Sequence, residues 1–133
     1  HIGQCDLDDC NAQYEYFDVV APAGQQDAWA YRYLVDIDGN AFSGRFYAFL
    51  HSNSMVFKIA IFREWHDEWL KPWVHYIPLS LRGSEYAEAM RYFIFEDAGK
   101  TAGAQIADQG QKWAQNALRN EDFEGWFFRL LLE

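Results

Sequence analysis

The sequence predicts an α/β fold: an open parallel sheet followed by C-terminal helices. Two observations carry this. Between residues 31 and 80, segments of strand composition alternate with helical ones. That order, strand–helix–strand–helix–strand, suits a sheet whose parallel strands are joined by crossovers. Beyond residue 84, apolar residues recur only at helical spacing. Half of the 133 residues are hydrophobic, with six Trp, eight Tyr and eleven Phe, so the chain can bury a real core and is not of disordered composition.

Tyr31-Arg32-Tyr33-Leu34-Val35-Asp36-Ile37 reads as the first strand, closed by Asp38-Gly39-Asn40, residues that tolerate turn geometry. Ser43 is placed to cap a helix whose Phe46, Phe49 and Leu50 share one face, and Ser52-Asn53-Ser54 ends it. Met55 to Ile61 is the second strand. Glu64 to Leu70 is expected as a helical turn stopped before Pro72, and Trp73 to Leu79 as a third strand. Three helices follow. The first, capped by Ser84, turns Tyr86, Ala89, Met90 and Phe93 inward. The second runs from about Ala102 to Leu118, with Ile106, Gly110, Trp113, Ala114 and Ala117 on one face. The third, capped by Asn120, has a face of Phe123, Trp126, Phe127, Leu130 and Leu131. Residues 1–30 read as an acidic, irregular segment, with a short helix expected over Asn11 to Phe17. Cys5 and Cys10 are close enough for a disulfide, and equally readable as two reduced thiols. The chain opens at His1 and closes on an apolar helix, so it is expected to be a portion of a longer protein.

The net charge of −9 argues against a nucleic-acid interface, which needs a basic face. A small phosphorylated ligand needs only one or two donors. Parallel sheets bind ligands beyond the carboxyl ends of their strands. Asp36 to Arg45 lies there: a strand end, a turn and a helix start, with Gly44 permitting close backbone approach and Arg45 offering a fork for phosphate oxygens. An ordinary helix start with an exposed Arg is the competing reading. Glu64, at the start of the next helical segment, is a candidate acceptor for ribose hydroxyls, against a solvated acidic face beside two buried Trp. His66, Asp67 and Glu68 are adjacent and diverge on a helix, so a metal site is not expected. Trp73 and Tyr76 could stack on a base but suit core packing better, with His75 hydrogen-bonded between them.

Taken together, Asp36-Ile37-Asp38-Gly39-Asn40, Ser43-Gly44-Arg45-Phe46, Ser52-x-Ser54, Glu64-Trp65 and Pro72-Trp73-Val74-His75-Tyr76-Ile77-Pro78 resemble glycosyltransferase family 90, which holds the fungal capsule-associated proteins and the Rumi-like O-glucosyltransferases. Gln105-Ile106-Ala107 and Arg129 to Glu133 fit the same pattern, and residues 1–30 resemble the fungal branch alone. The resemblance implies the C-terminal, Rossmann-like lobe of a GT-B enzyme over residues 31–133, with 1–30 linking to an N-terminal lobe outside this chain. That lobe would bind UDP-xylose or UDP-glucose without a metal. Ser43, Gly44 and Arg45 would hold the diphosphate, and Arg45 would stabilise the departing UDP. Phe46, Glu64 and Trp65 would complete the donor contacts. The catalytic Asp is expected upstream, and neither Asp36 nor Asp38 is that residue. A glycan or glycoprotein acceptor would meet the other lobe. A secretory setting, with an N-terminal membrane anchor outside this chain, also follows. A non-catalytic protein- or carbohydrate-binding domain and a carboxylate hydrolase are the competing classes.

Overall fold

The computed structural model describes residues 24–132, together with Asn11, Ala12, Tyr14 and Glu15, which are helical. Cys5 and Cys10 lie outside the described residues, as do Gln13, Tyr16 and Phe17 of the segment expected to be helical. A 3-10 helix, Gln25–Ala30, leads into β1 (Tyr33–Ile37), α1 (Phe46–His51), β2 (Met55–Ile59), β3 (Ile77–Pro78), α2 (Tyr86–Phe95), α3 (Asp97–Ala117) and α4 (Asn120–Leu132). The three strands form one parallel sheet in the order β1-β2-β3, as the alternation of segments implies. Tyr33 pairs with Met55 and Ile37 with Ile59.

Every residue of β2 is buried, because both faces of this central strand are covered. One face packs Leu34 and Val56 against Phe46, Phe49 and Leu50 of α1 and Ala114 of α3. The other packs Met55, Phe57, Ile59 and Ile77 against Phe93 of α2 and Ile106 and Ala107 of α3. Helix α3 therefore serves both layers, crossing at Gly110, where an added Cβ would lie 2.6 Å from the His75 carbonyl oxygen.

Five expectations change. Ser84 is not the cap of α2: Glu85 occupies that position, and the Ser84 hydroxyl donates to the Glu85 carboxylate. Ser43 is not the cap of α1: Arg45 occupies that position, and the Ser43 hydroxyl is turned inward to Asp36. Glu64 to Leu70 forms turns rather than a regular helix, with a single i→i+4 bond from Leu70 N to the His66 carbonyl. The third strand shrinks to Ile77–Pro78. Trp73 sits at φ 65° and donates its N–H to the Tyr76 carbonyl at 2.7 Å, so the chain doubles back there instead of extending. Helix α3 begins at Asp97, earlier than its apolar face suggested. The last helix forms as expected, but its apolar face is only partly used. Phe123 and Trp126 pack on Trp65, whereas Phe127, Leu130 and Leu131 are exposed. No helix of the described residues is long and apolar enough to cross a membrane.

The interior also holds polar groups. Asp36, Ser43, Lys58 and His66 are all buried. Burial, outweighing the nearby Asp67 carboxylate, depresses the His66 pKa from 6.5 to about 4, so the ring is neutral at pH 7.

Two predictions follow from this packing. Gly110→Ala gains about 1 kcal/mol of helix propensity but must displace the His75 backbone, which costs about 1–3 kcal/mol, so the net effect is destabilising. Gly125 in α4 has open space where a Cβ would stand, so Gly125→Ala keeps the propensity gain and stabilises. Opposite shifts of the urea midpoint are expected, and a stabilising Gly110→Ala would refute the close approach. For His66, the unfolded chain takes up a proton near pH 6.5 while the folded chain resists it to about pH 4. Stability contributed by the neutral ring is thus lost as pH falls through that window. The melting temperature of the wild type should drop more between pH 7 and pH 5 than that of His66→Gln; equal drops would contradict a buried neutral ring.

Candidate functional site

Asp36 on β1 and Lys58 on β2 are register partners and project to the same face. Lys58 Nζ lies 3.2 Å from Asp36 Oδ2 and 3.4 Å from Glu64 Oε1, and 3.9 Å from the centre of the Phe46 ring. One buried ammonium thus joins two carboxylates and rests on an aromatic face. The second Asp36 oxygen accepts a 2.5 Å bond from the Ser43 hydroxyl. Asp38 ties the turn after β1 to the segment after β2: its Oδ2 accepts the N–H groups of Ile61 and Phe62 at 2.6 and 3.1 Å. Its other oxygen is buried without a hydrogen-bond partner.

Glu64 lies at the far end of this chain of charges. Lys58 holds one of its oxygens, and the Tyr47 hydroxyl donates to the other at 3.2 Å. Burial raises its pKa, against the lowering pull of Lys58 and Tyr47. The Tyr47 hydroxyl also accepts from Trp65 Nε1 at 3.1 Å, and burial with the Glu64 charge pushes its pKa up to about 12. A cavity of about 500 Å³ opens here, walled by Phe42, Phe62, Tyr47, Trp65 and Phe123, with Glu64 and Arg63 as its charged groups. It stands beyond the carboxyl ends of β1 and β2, in the region expected for a ligand. Aromatic walls with a single fixed carboxylate can enclose a flat ring and accept hydroxyl protons. A larger groove of about 660 Å³ lies between Trp73, β3, α2 and α3. Its acids are already engaged, Glu85 with Ser80 and Glu88 with Arg91, so it presents no carboxylate free for a polar ligand.

The residues expected at the site divide. Glu64 and Trp65 line the cavity. Gly44 is exposed, and a Cβ there would touch nothing within 4 Å, so a ligand can approach its backbone. Ser43 and Phe46 face inward and are buried, so any contact from them must come through the backbone. Arg45 does not share the cavity of Glu64. It lines a separate groove with Tyr31 and Phe49, and its Nη2 donates to the Ile37 carbonyl at 2.7 Å. Its Nε is 4.0 Å from Asp36, so Arg45 and Glu64 flank the same buried charges from two sides. The half-exposed Arg45 side chain must leave Ile37 to reach a ligand shared with Glu64. In the third segment His75 stacks on Trp113 and Tyr76 meets Phe46 edge-on, both as packing, while Trp73 is exposed. Sequence reasoning passed over Lys58 and Tyr47. The signal for Lys58 was present: one lysine in the apolar run Met55-Val56-Phe57-Lys58-Ile59 needs a buried counter-ion. Tyr47 has no comparable signal, since it lies on a helix rich in aromatic residues.

The profile of glycosyl transferase family 90 matches residues 6–133. O-glucosyltransferase rumi of Drosophila pseudoobscura pseudoobscura is 35% identical over 118 residues, covering 83% of this chain and 28% of the relative. Protein O-glucosyltransferase 1 of Homo sapiens is 32% identical over 114 residues, covering 80% of this chain and 27% of the relative. The O-glucosyltransferase rumi homolog of Anopheles gambiae is 37% identical over 109 residues, or 76% and 25% of the two chains. This chain therefore spans little more than a quarter of the length of these relatives. Because the profile covers nearly all of it, the chain belongs to glycosyl transferase family 90.

Proposed function

We propose that this chain is the donor-binding part of a UDP-sugar-dependent glycosyltransferase, the C-terminal lobe of a two-lobed GT-B enzyme. The observation that carries the reading is Glu64, fixed at both oxygens on the wall of an aromatic cavity beyond the strand ends. Glu64 accepts the ribose hydroxyls, and the rings of Phe42 and Phe62 suit a pyrimidine base. Gly44 and Arg45 receive the diphosphate, and Arg45 stabilises the charge that develops on the leaving UDP without a metal. The names of the relatives favour UDP-glucose over UDP-xylose, and a protein acceptor. The acid–base residue belongs to the lobe outside this chain, as do the acceptor contacts and the anchor of a secretory-pathway enzyme.

A hydrolase fits less well. Asp36 and Glu64 are bridged by Lys58 rather than facing each other across an open cleft.

The test is calorimetric titration of UDP into the folded chain with EDTA present and ADP as control. UDP is expected to bind in preference to ADP. Arg45→Ala and Glu64→Gln should each weaken it by about 2 kcal/mol, the scale of a lost charge-assisted contact. A folded chain that binds UDP equally well with either substitution would remove that residue from the site. Binding of neither nucleotide would set the donor reading aside for this chain.

A further inference from the structure

The Tyr47 hydroxyl meets three groups: Trp65 Nε1 at 3.1 Å, Glu64 Oε2 at 3.2 Å and His66 Nδ1 at 3.2 Å. It has one proton to give and two lone pairs to fill. Trp65 can only donate, so it takes one lone pair. The proton then goes either to Glu64 or to His66, and the tautomer of His66 decides which. His66 is fully buried and its Nε2 has no hydrogen-bond partner; the nearest carboxylate oxygens, on Asp67 and Glu64, are 3.6 and 4.0 Å away. A proton on Nε2 would be a buried donor with no acceptor in range. A proton on Nδ1 fills the second lone pair of Tyr47 and frees the hydroxyl proton for a carboxylate, a bond stronger than one to a neutral ring.

We propose that Tyr47 is a positioning residue for Glu64: with His66 protonated on Nδ1, the Tyr47 proton fixes one carboxylate oxygen while Lys58 fixes the other. That leaves the remaining lone pairs of Glu64, on the cavity wall, to accept ribose hydroxyls. This rests on the donor reading of the cavity. It assigns a role to a residue on α1, an element whose own side chains otherwise pack into the core. The charged and titratable groups facing Glu64 are Lys58 from β2, Tyr47 from α1, and His66 and Asp67 from its own segment. Because the Tyr47 hydroxyl bonds the ionised carboxylate more strongly than the neutral acid, its loss should make Glu64 harder to ionise.

The experiment is a carbon-13 NMR titration of the Glu64 carboxyl in the wild-type chain and in Tyr47→Phe, with UDP affinity measured across the same pH range. The variant is expected to titrate at a higher pH than the wild type. Its UDP affinity should fall about fivefold or more at the acid end of that range, where the variant's carboxyl is protonated first, and less at the alkaline end. A purely structural role would lower affinity equally at both. Nitrogen-15 spectra of the wild type give the His66 tautomer without any substitution, so the proposal stays testable if the variant does not fold. An unchanged Glu64 titration, or a proton on Nε2, would overturn it. The donor reading fails separately, if Glu64→Gln leaves UDP binding unaltered while the carboxyl still responds to Tyr47→Phe.

Discussion

Lys58 is the constraint on which the rest of this structure depends. It sits on the central strand, faces the layer formed by α1, and is almost wholly withdrawn from water. A buried ammonium is tolerated only when it is paired and hydrogen-bonded, so its partners cannot be left to chance. Asp36 comes from the neighbouring strand, Glu64 from the segment after β2, and the Phe46 ring from α1. Each partner transmits the constraint outward. The Asp36–Lys58 pairing requires the observed register of β1 on β2, since a slip of one residue would turn Asp36 to the opposite face. Asp36 in turn draws in Ser43 and anchors the turn that carries Gly44 and Arg45. Glu64 fixes the segment that walls the cavity.

The second organising element is aromatic rather than ionic. Trp65 contacts His66, Trp69, Phe123 and Trp126 at centroid distances of 5.4–5.7 Å. Through these rings the start of α4 is held against the segment that supplies Glu64. The cavity wall is therefore assembled from parts far apart in sequence: the turn after β1, α1, the segment after β2, and the last helix. Because Trp65 also donates to Tyr47, the aromatic cluster and the charged cluster share one hydrogen-bond node. Burial of that node keeps Tyr47 protonated well beyond neutral pH, so it remains a donor across the neutral range.

Much of the fold was legible because its signals are local. Alternating strand and helix composition gave the parallel sheet, and the apolar spacing of Ile106, Gly110 and Ala114 marked the inner face of α3. Glu64 was legible too, as a carboxylate just past a strand end. The misreadings share a cause. Ser43 has the composition of a cap, but the buried Asp36 offers it a stronger acceptor. Trp73 to Tyr76 has strand composition, but Trp73 takes a left-handed backbone that no propensity suggests. The apolar face of α4 promised burial, but among the described residues Phe127, Leu130 and Leu131 stay exposed.

By itself the sequence determined the fold class and the membership of glycosyl transferase family 90, because periodicity, turn chemistry and motif order are written along the chain. Only the tertiary structure decided which side chains meet. It separated Arg45 from the cavity of Glu64, withdrew the Ser43 and Phe46 side chains into the interior, and brought Lys58, Tyr47 and His66 around one carboxylate. The physical reason is that hydrogen bonds and buried charges are satisfied in space, by whichever partners the packed layers bring within about 3 Å, and neighbours in sequence have no priority there.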